Sequence, residues 1–123
     1  MPTKITVIYD NPHDPDAFEA SYPDQLPLAA EMPGLDRLES SKVWPKEDGT
    51  PTLAYRLLDL YFTDYDTASA ATATVEAGAF FASVIALATG GVRIVFADIE
   101  ESRGGRAPDE IAQTASPRRV SNV

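Results

Sequence analysis

Two runs in this chain hold more apolar residues than a single buried sheet face can use. Leu53 to Phe62 includes Tyr55, Leu57, Leu58, Leu60, Tyr61 and Phe62, and Val92 to Ile99 is almost wholly apolar. Both have the β-branched and aromatic content of strands. In the first run Leu57 and Tyr61 fall on one side, with Leu58, Leu60 and Phe62 on the other. In the second, Val92, Ile94 and Phe96 oppose Val95, Ala97 and Ile99. An antiparallel sheet with one wet face alternates apolar and polar residues, and these runs do not. Helices of a chain this short cover one face, so a second layer has to cover the other. A second sheet is the simplest cover, and the expectation is a homodimer.

The rest of the chain fits around these strands. Lys4-Ile5-Thr6-Val7-Ile8-Tyr9 reads as a first strand that stops at Asp10-Asn11-Pro12. A helix should open at Asp14-Pro15-Asp16, where acids suit a helix N-terminus and proline its first position. Phe18, Tyr22, Leu26 and Ala29 recur at helical spacing, and Pro23 and Pro27 should each kink or break the helix. After Met32-Pro33-Gly34, Leu35 to Trp44 reads as a strand, followed by a polar turn at Lys46-Glu47-Asp48-Gly49. Asp64 or Asp66 can cap one long Ala-rich helix running toward Thr89, with Gly78 as its weak point. The order is β-α-β-β-α-β, a ferredoxin-like α+β domain expected over residues 1–101. Residues 102–123 hold two glycines, two prolines and no aromatic side chain. They are expected to be a poorly ordered tail or an arm laid on a neighbour.

Charge removes one class of partner. The chain carries 10 basic and 19 acidic residues, a net charge of −9. Residues 1–101 carry −11 and residues 102–123 carry +2. An acidic body repels phosphate backbones, so no nucleic-acid partner is expected. No apolar run reaches the roughly 18 residues of a membrane span, so no membrane partner is expected either. Met1-Pro2-Thr3-Lys4 leads into a strand-like run and not into a secretory leader, which makes the cytoplasm the expected compartment.

Several chemistries are closed as well. With no cysteine, thiolate catalysis, disulfides and zinc fingers drop out. His13 is the only histidine, which rules out a multi-His metal site and a His-based triad. The acids around it read as a turn and a helix cap, and Asp64-Tyr65-Asp66 lacks the spacing of a calcium loop. No metal and no cofactor is expected. Gly90-Gly91 follows a helix and precedes a strand, the reverse of a phosphate cradle, and suits a helix C-cap. Arg118-Arg119-Val120-Ser121 matches a basophilic kinase site, a pattern that chance supplies often.

Tyrosine is the more informative residue. Tyr9, Tyr22, Tyr55, Tyr61 and Tyr65 each pair an aromatic wall with a hydroxyl, which suits a pocket for an oxygenated apolar ligand. Arg56 and Asp59 interrupt the apolar third strand on opposite faces. Asp59 shares parity with Tyr55, Leu57 and Tyr61, and a carboxylate among aromatics either acts as a base or anchors a dimer interface. Gln25, after Pro23, sits where a helix is broken. Its amide either orients a ligand or caps freed backbone groups.

The spaced motifs Asn11-Pro12, Asp14-Pro15, Phe18, Gln25-Leu26-Pro27-Leu28, Met32-Pro33-Gly34-Leu35, Tyr61-Phe62 and Ala88-Thr89-Gly90-Gly91-Val92 resemble those of EthD-domain proteins, a family named for ethyl tert-butyl ether degradation. The resemblance spans roughly residues 4–100. It implies a dimeric α/β barrel in which two ferredoxin-like sheets pack face to face. Where the family commonly has His-x-Pro-Leu, this chain has Gln25-Leu26-Pro27-Leu28, an amide that cannot titrate. The resemblance implies Gln25 and Tyr22 as site residues. Tyr9, Tyr55 and Tyr61 join them as ligand contacts, and Asp59 and Tyr22 are the catalytic candidates. Two functions follow: an accessory protein holding a small oxygenated apolar molecule for an oxidative pathway, or a cofactor-independent oxygenase, isomerase or cyclase.

Overall fold

The computed structural model describes residues 1–105. Four strands form one antiparallel sheet: β1 (Thr3–Tyr9), β2 (Arg37–Lys42), β3 (Arg56–Phe62) and β4 (Val92–Asp98), in the spatial order β2-β3-β1-β4. Helices α1 (Pro15–Ser21) and α2 (Gln25–Ala30) join β1 to β2, and α3 (Tyr65–Thr72) and α4 (Val75–Leu87) join β3 to β4. The ferredoxin-like α+β expectation is borne out, with each crossover helix split in two.

The sheet has two unlike faces. Strict alternation in β1 sends Thr3, Ile5, Val7 and Tyr9 into the helix layer. The register sets Ile5 beside Leu60 and Val7 beside Leu58. Phe80 and Val84 of α4 are buried in the same core. Each such apolar side chain contributes roughly 1.5–3 kcal/mol on leaving water. The other face carries Ile8, Leu57, Val95 and Ala97 together with Lys4, Thr6, Asp59 and Glu39. It is mixed rather than apolar throughout, because β1 and β2 add Lys4, Thr6 and Glu39 to the Asp59 that interrupts β3. On β4, Ile94, Val95 and Phe96 are all exposed.

The helix breaks have identifiable causes. Asp14 caps α1, its carboxylate accepting from the Ala17 N–H at 3.1 Å. Pro23 ends that helix in a 3-10 turn over Tyr22–Asp24, as expected from its missing donor. Pro27 breaks nothing, since it falls in the first turn of α2, where backbone N–H groups have no helical partner anyway. The second crossover divides at Ala73-Thr74 and not at Gly78, which lies inside α4. There the Thr74 hydroxyl accepts from the Ala77 N–H at 3.1 Å and donates to the Ala71 carbonyl at 2.7 Å. It serves both helix ends, and the axes bend by 76°. Among the described residues no single helix is long and apolar enough to cross a membrane.

Edge strand β2 and its neighbour β3 are shorter than their sequences suggest. Pairing of β2 extends only through single bonds at Asp36 and Val43, and β3 begins at Arg56 rather than Leu53. Gly91 takes φ +110° and its N–H donates to the Ala88 carbonyl, closing the turn into β4. Gly90 is needed for a different reason: a β-carbon there would lie 1.8 Å from the Asn11 carbonyl oxygen.

Candidate functional site

One row of the sheet, on the helix side, gathers the polar residues. Register aligns Tyr9 of β1 with Arg56 of β3, and Arg56 with Lys42 of β2. Above that row the broken crossover lowers Phe18, Glu19 and Tyr22, and then Gln25, onto the strands. The 3-10 turn matters here, because it offsets α2 from α1 and lets residues of both point at the same part of the sheet.

Gln25 is 1% exposed. Its Oε1 accepts from the Tyr9 hydroxyl at 2.5 Å, and its Nε2 donates to Ser83 Oγ of α4 at 3.4 Å. The amide therefore caps no backbone; it ties β1 to two helices through side chains. An aromatic wall flanks it. Phe18 meets Tyr9 edge-to-face with centroids 5.2 Å apart, stacks on Tyr22 at 5.5 Å and meets Tyr55 edge-to-face at 5.3 Å. The Tyr22 hydroxyl shares a 2.7 Å hydrogen bond with Ser40 of β2.

Beside the wall lies a charged cluster. Arg56 grips Glu19 with two bonds of 2.9 and 2.7 Å, and its guanidinium sits 4.5 Å above the Tyr22 ring. Lys42 Nζ lies 3.6 Å from the same carboxylate and 5.5 Å from the centre of the Tyr55 ring. The Arg56 hydrogen bonds hold the Glu19 carboxyl down to about 2. Burial pushes the Tyr9 phenol far above its usual range, and burial likewise raises Tyr22. Both tyrosines are therefore neutral donors at physiological pH and not phenolate bases.

Four of the residues singled out in the sequence come together: Tyr9, Tyr22, Gln25 and Tyr55. Tyr61 and Asp59 face away on the open side of the sheet. Asp59 accepts from Thr6 Oγ1 at 2.5 Å and lies 3.7 Å from Lys4 Nζ. Tyr61 donates to Glu39 at 2.8 Å beneath the Arg37 guanidinium. Parity groups Tyr55 with Asp59 and Tyr61, but β3 begins one residue later and its alternation does not reach Tyr55. Sequence reasoning left out Glu19, Lys42, Ser40 and Ser83. The interruption of an apolar strand by Arg56 was the available signal, and its partners needed the register. An open depression of about 460 Å³, lined by Pro33, Gly34, Asp66, Thr67, Ala70 and their neighbours, lies elsewhere and includes none of the site residues.

No family model matches the chain. An uncharacterized 11.0 kDa protein from the thcB-thcC intergenic region of Rhodococcus erythropolis is 36% identical over 98 residues, 79% of this chain and 94% of that protein. This chain belongs to that protein's family. Among solved structures, an EthD-family protein from Bacillus halodurans superposes with a TM-score of 0.74 at 22% identity, covering 80% of this chain and 99% of that one. A dimeric ferredoxin-like protein of unknown function from Jannaschia gives 0.59 at 15% identity, covering 80% and 100%. SnoaB, a cofactor-independent oxygenase from Streptomyces nogalater, gives 0.57 at 18% identity, with 82% and 94% covered. The EthD resemblance read from the spaced motifs is thus borne out in the fold.

Proposed function

We propose that this chain is a homodimeric accessory protein that holds a small oxygenated apolar molecule between the sheet and the α1–α2 crossover. The observation that carries the reading is Gln25, a fully buried amide set on a broken helix beside an aromatic wall. A core position in a fold of this size normally takes an apolar side chain, and a buried amide is costly unless its bonds are met. Tyr9 and Ser83 meet them, and a ligand carbonyl or hydroxyl can exchange into the same bonds. The short, proline-interrupted crossover is the element that would shift to admit it.

Binding fits these groups better than acid–base catalysis does. Tyr9 and Tyr22 are held neutral, Gln25 does not titrate, and Asp59 is on the opposite face of the sheet. The mixed open face and the dimeric Jannaschia neighbour support a second copy packed sheet to sheet. Native mass spectrometry of the purified protein should show a dimer with a small molecule bound in each subunit. Gln25→Leu should lose that molecule, whereas equal occupancy in wild type and variant would overturn the assignment.

A further inference from the structure

The two edges of the sheet are built differently. β2 carries Arg37, Glu39 and Lys42, and charges on an edge strand discourage further pairing. β4, at the opposite edge, has no proline and no lysine, and its two charged residues are turned to neighbours. Arg93 donates to Asp10 at 2.7 Å, and Asp98 accepts from Thr3 Oγ1 at 2.8 Å. Between them Ile94, Val95 and Phe96 are exposed. Val95 belongs to the open face, where a second copy would cover it. Ile94 and Phe96 lie on the helix side beside Val7 and Ile5, and Phe96 meets the exposed Tyr65 ring with centroids 6.4 Å apart.

The backbone of β4 is open as well. The Ile99 N–H donates to the Pro2 carbonyl at 2.7 Å, and the Asp10 N–H donates to the Gly91 carbonyl at 3.0 Å. Odd-numbered residues of the strand therefore turn their backbone groups toward β1. Those of Val92, Ile94, Phe96 and Asp98 point outward, a row of donors and acceptors that another strand can use. Residues 106–123, most of the stretch expected to be a tail or an arm, lie outside the described residues. They follow β4 closely, with Gly104-Gly105 just before them to reverse the chain. Proline cannot donate to a ladder, and between Pro108 and Pro117 run eight residues, 109–116, with no proline or glycine. That is enough for the seven residues of β4.

We infer that residues 109–116 pair antiparallel with the outer edge of β4 in the same chain and add a fifth strand to the sheet. Main-chain bonds hold such a strand, so its side chains need not be strongly apolar. Charge fits this direction. A segment running back along β4 brings Arg118 and Arg119 to the Val92 end. Asp14 and Asp16 are there, next to His13, whose N–H donates to Thr89 Oγ1 at 3.1 Å. The inference is independent of the ligand reading above.

Residue-resolved amide hydrogen exchange of the full chain, read by NMR, tests it. In a Gln113→Pro/Thr114→Pro double variant, one of the two prolines removes a donor from the pairing side whichever way the segment faces. The Ile94 and Phe96 N–H groups should exchange about tenfold or more faster in that variant than in wild type. The Val95 N–H, which bonds to β1, should stay protected in both. Ser121→Pro, outside the paired stretch, should leave Ile94 and Phe96 protected. Wild-type Ile94 and Phe96 amides that exchange as freely as loop amides would overturn the inference. So would protection that survives the double proline variant, or an equal loss in Ser121→Pro. Protection that rises with protein concentration would assign the edge to a second copy and overturn it too.

Discussion

Two side chains, Tyr9 and Gln25, show why single residues here have to be judged in pairs. Removing one partner leaves the other buried without a bond, which costs about 1–3 kcal/mol, while replacing both by apolar groups can be nearly neutral. Gln25→Leu and Tyr9→Phe should therefore each lower stability. The double variant should melt closer to wild type than the two losses added together, and a double-mutant cycle of thermal or urea unfolding measures the coupling. Glu19 gives a pH test. Its folded value of about 2 lies below the ordinary glutamate range, so its contribution is present above pH 5 and is lost as pH falls toward 2. The pair is partly solvated, which limits the contribution to about 1 kcal/mol. Wild type should exceed Glu19→Gln in melting temperature at pH 7, and the gap should close near pH 2; a constant gap would rule out this linkage. At this scale the sequence exposed the residue types but not their partners. A lone Gln after Pro23 and a lone Arg in an apolar strand are visible anomalies. Glu19 and Lys42 look like any surface charges until the register of β2 and β3 is known.

Helix breaks were legible only where a residue forbids the helix. Pro23 lacks a donor and ends α1 wherever the surrounding chain runs, so the break could be read directly. Pro27 carries the same signal but lands in a first turn, where the missing donor has no consequence. The division at Thr74 has no forbidding residue at all, because threonine is tolerated inside helices and acts here by capping. Gly78 drew the expectation instead, although its surroundings are open and α4 runs through it. Paired substitutions separate the two positions. Thr74→Ala should lose about 1 kcal/mol by removing the cap at the start of α4. Gly78→Ala should gain about 0.5–1 kcal/mol as an exposed helix-interior glycine is replaced. Chemical denaturation of the two variants reads both signs, and a loss at Gly78 equal to that at Thr74 would place the hinge at the glycine after all.

Across the whole molecule, the open face of the sheet is where the proposed second copy would pack. Its charges are already paired, Lys4 with Asp59 and Arg37 with Glu39, and the Thr6 and Tyr61 hydroxyls donate to those same acids. A face whose polar groups are satisfied among themselves can be covered without leaving orphaned charges. Its apolar share, Ile8, Leu57, Val95 and Ala97, is the driving force available to the proposed second copy. The sequence indicated this much from β3 and β4, though not the polar stripe, because alternation in β1 and β2 hides which set of residues faces out. Faces also separate two neighbouring substitutions. Val95 is on the open side beside Thr6, and Ile94 is on the helix side beside Val7. Val95→Glu adds a third carboxylate to a surface that already holds Asp59 and Glu39, and in a sheet-to-sheet dimer it would meet the same acids of the second copy. It should give a folded monomer near 13.3 kDa by light scattering, where wild type gives twice that mass. Ile94→Glu places its charge on the helix side of an edge strand where Ile94 is itself exposed, so it should change the melting temperature little and keep the dimer, as should Val95→Thr. A wild-type protein that scatters as a stable monomer at micromolar concentration would refute the assembly, and a Val95→Glu dimer would mean that the copies meet on some other face.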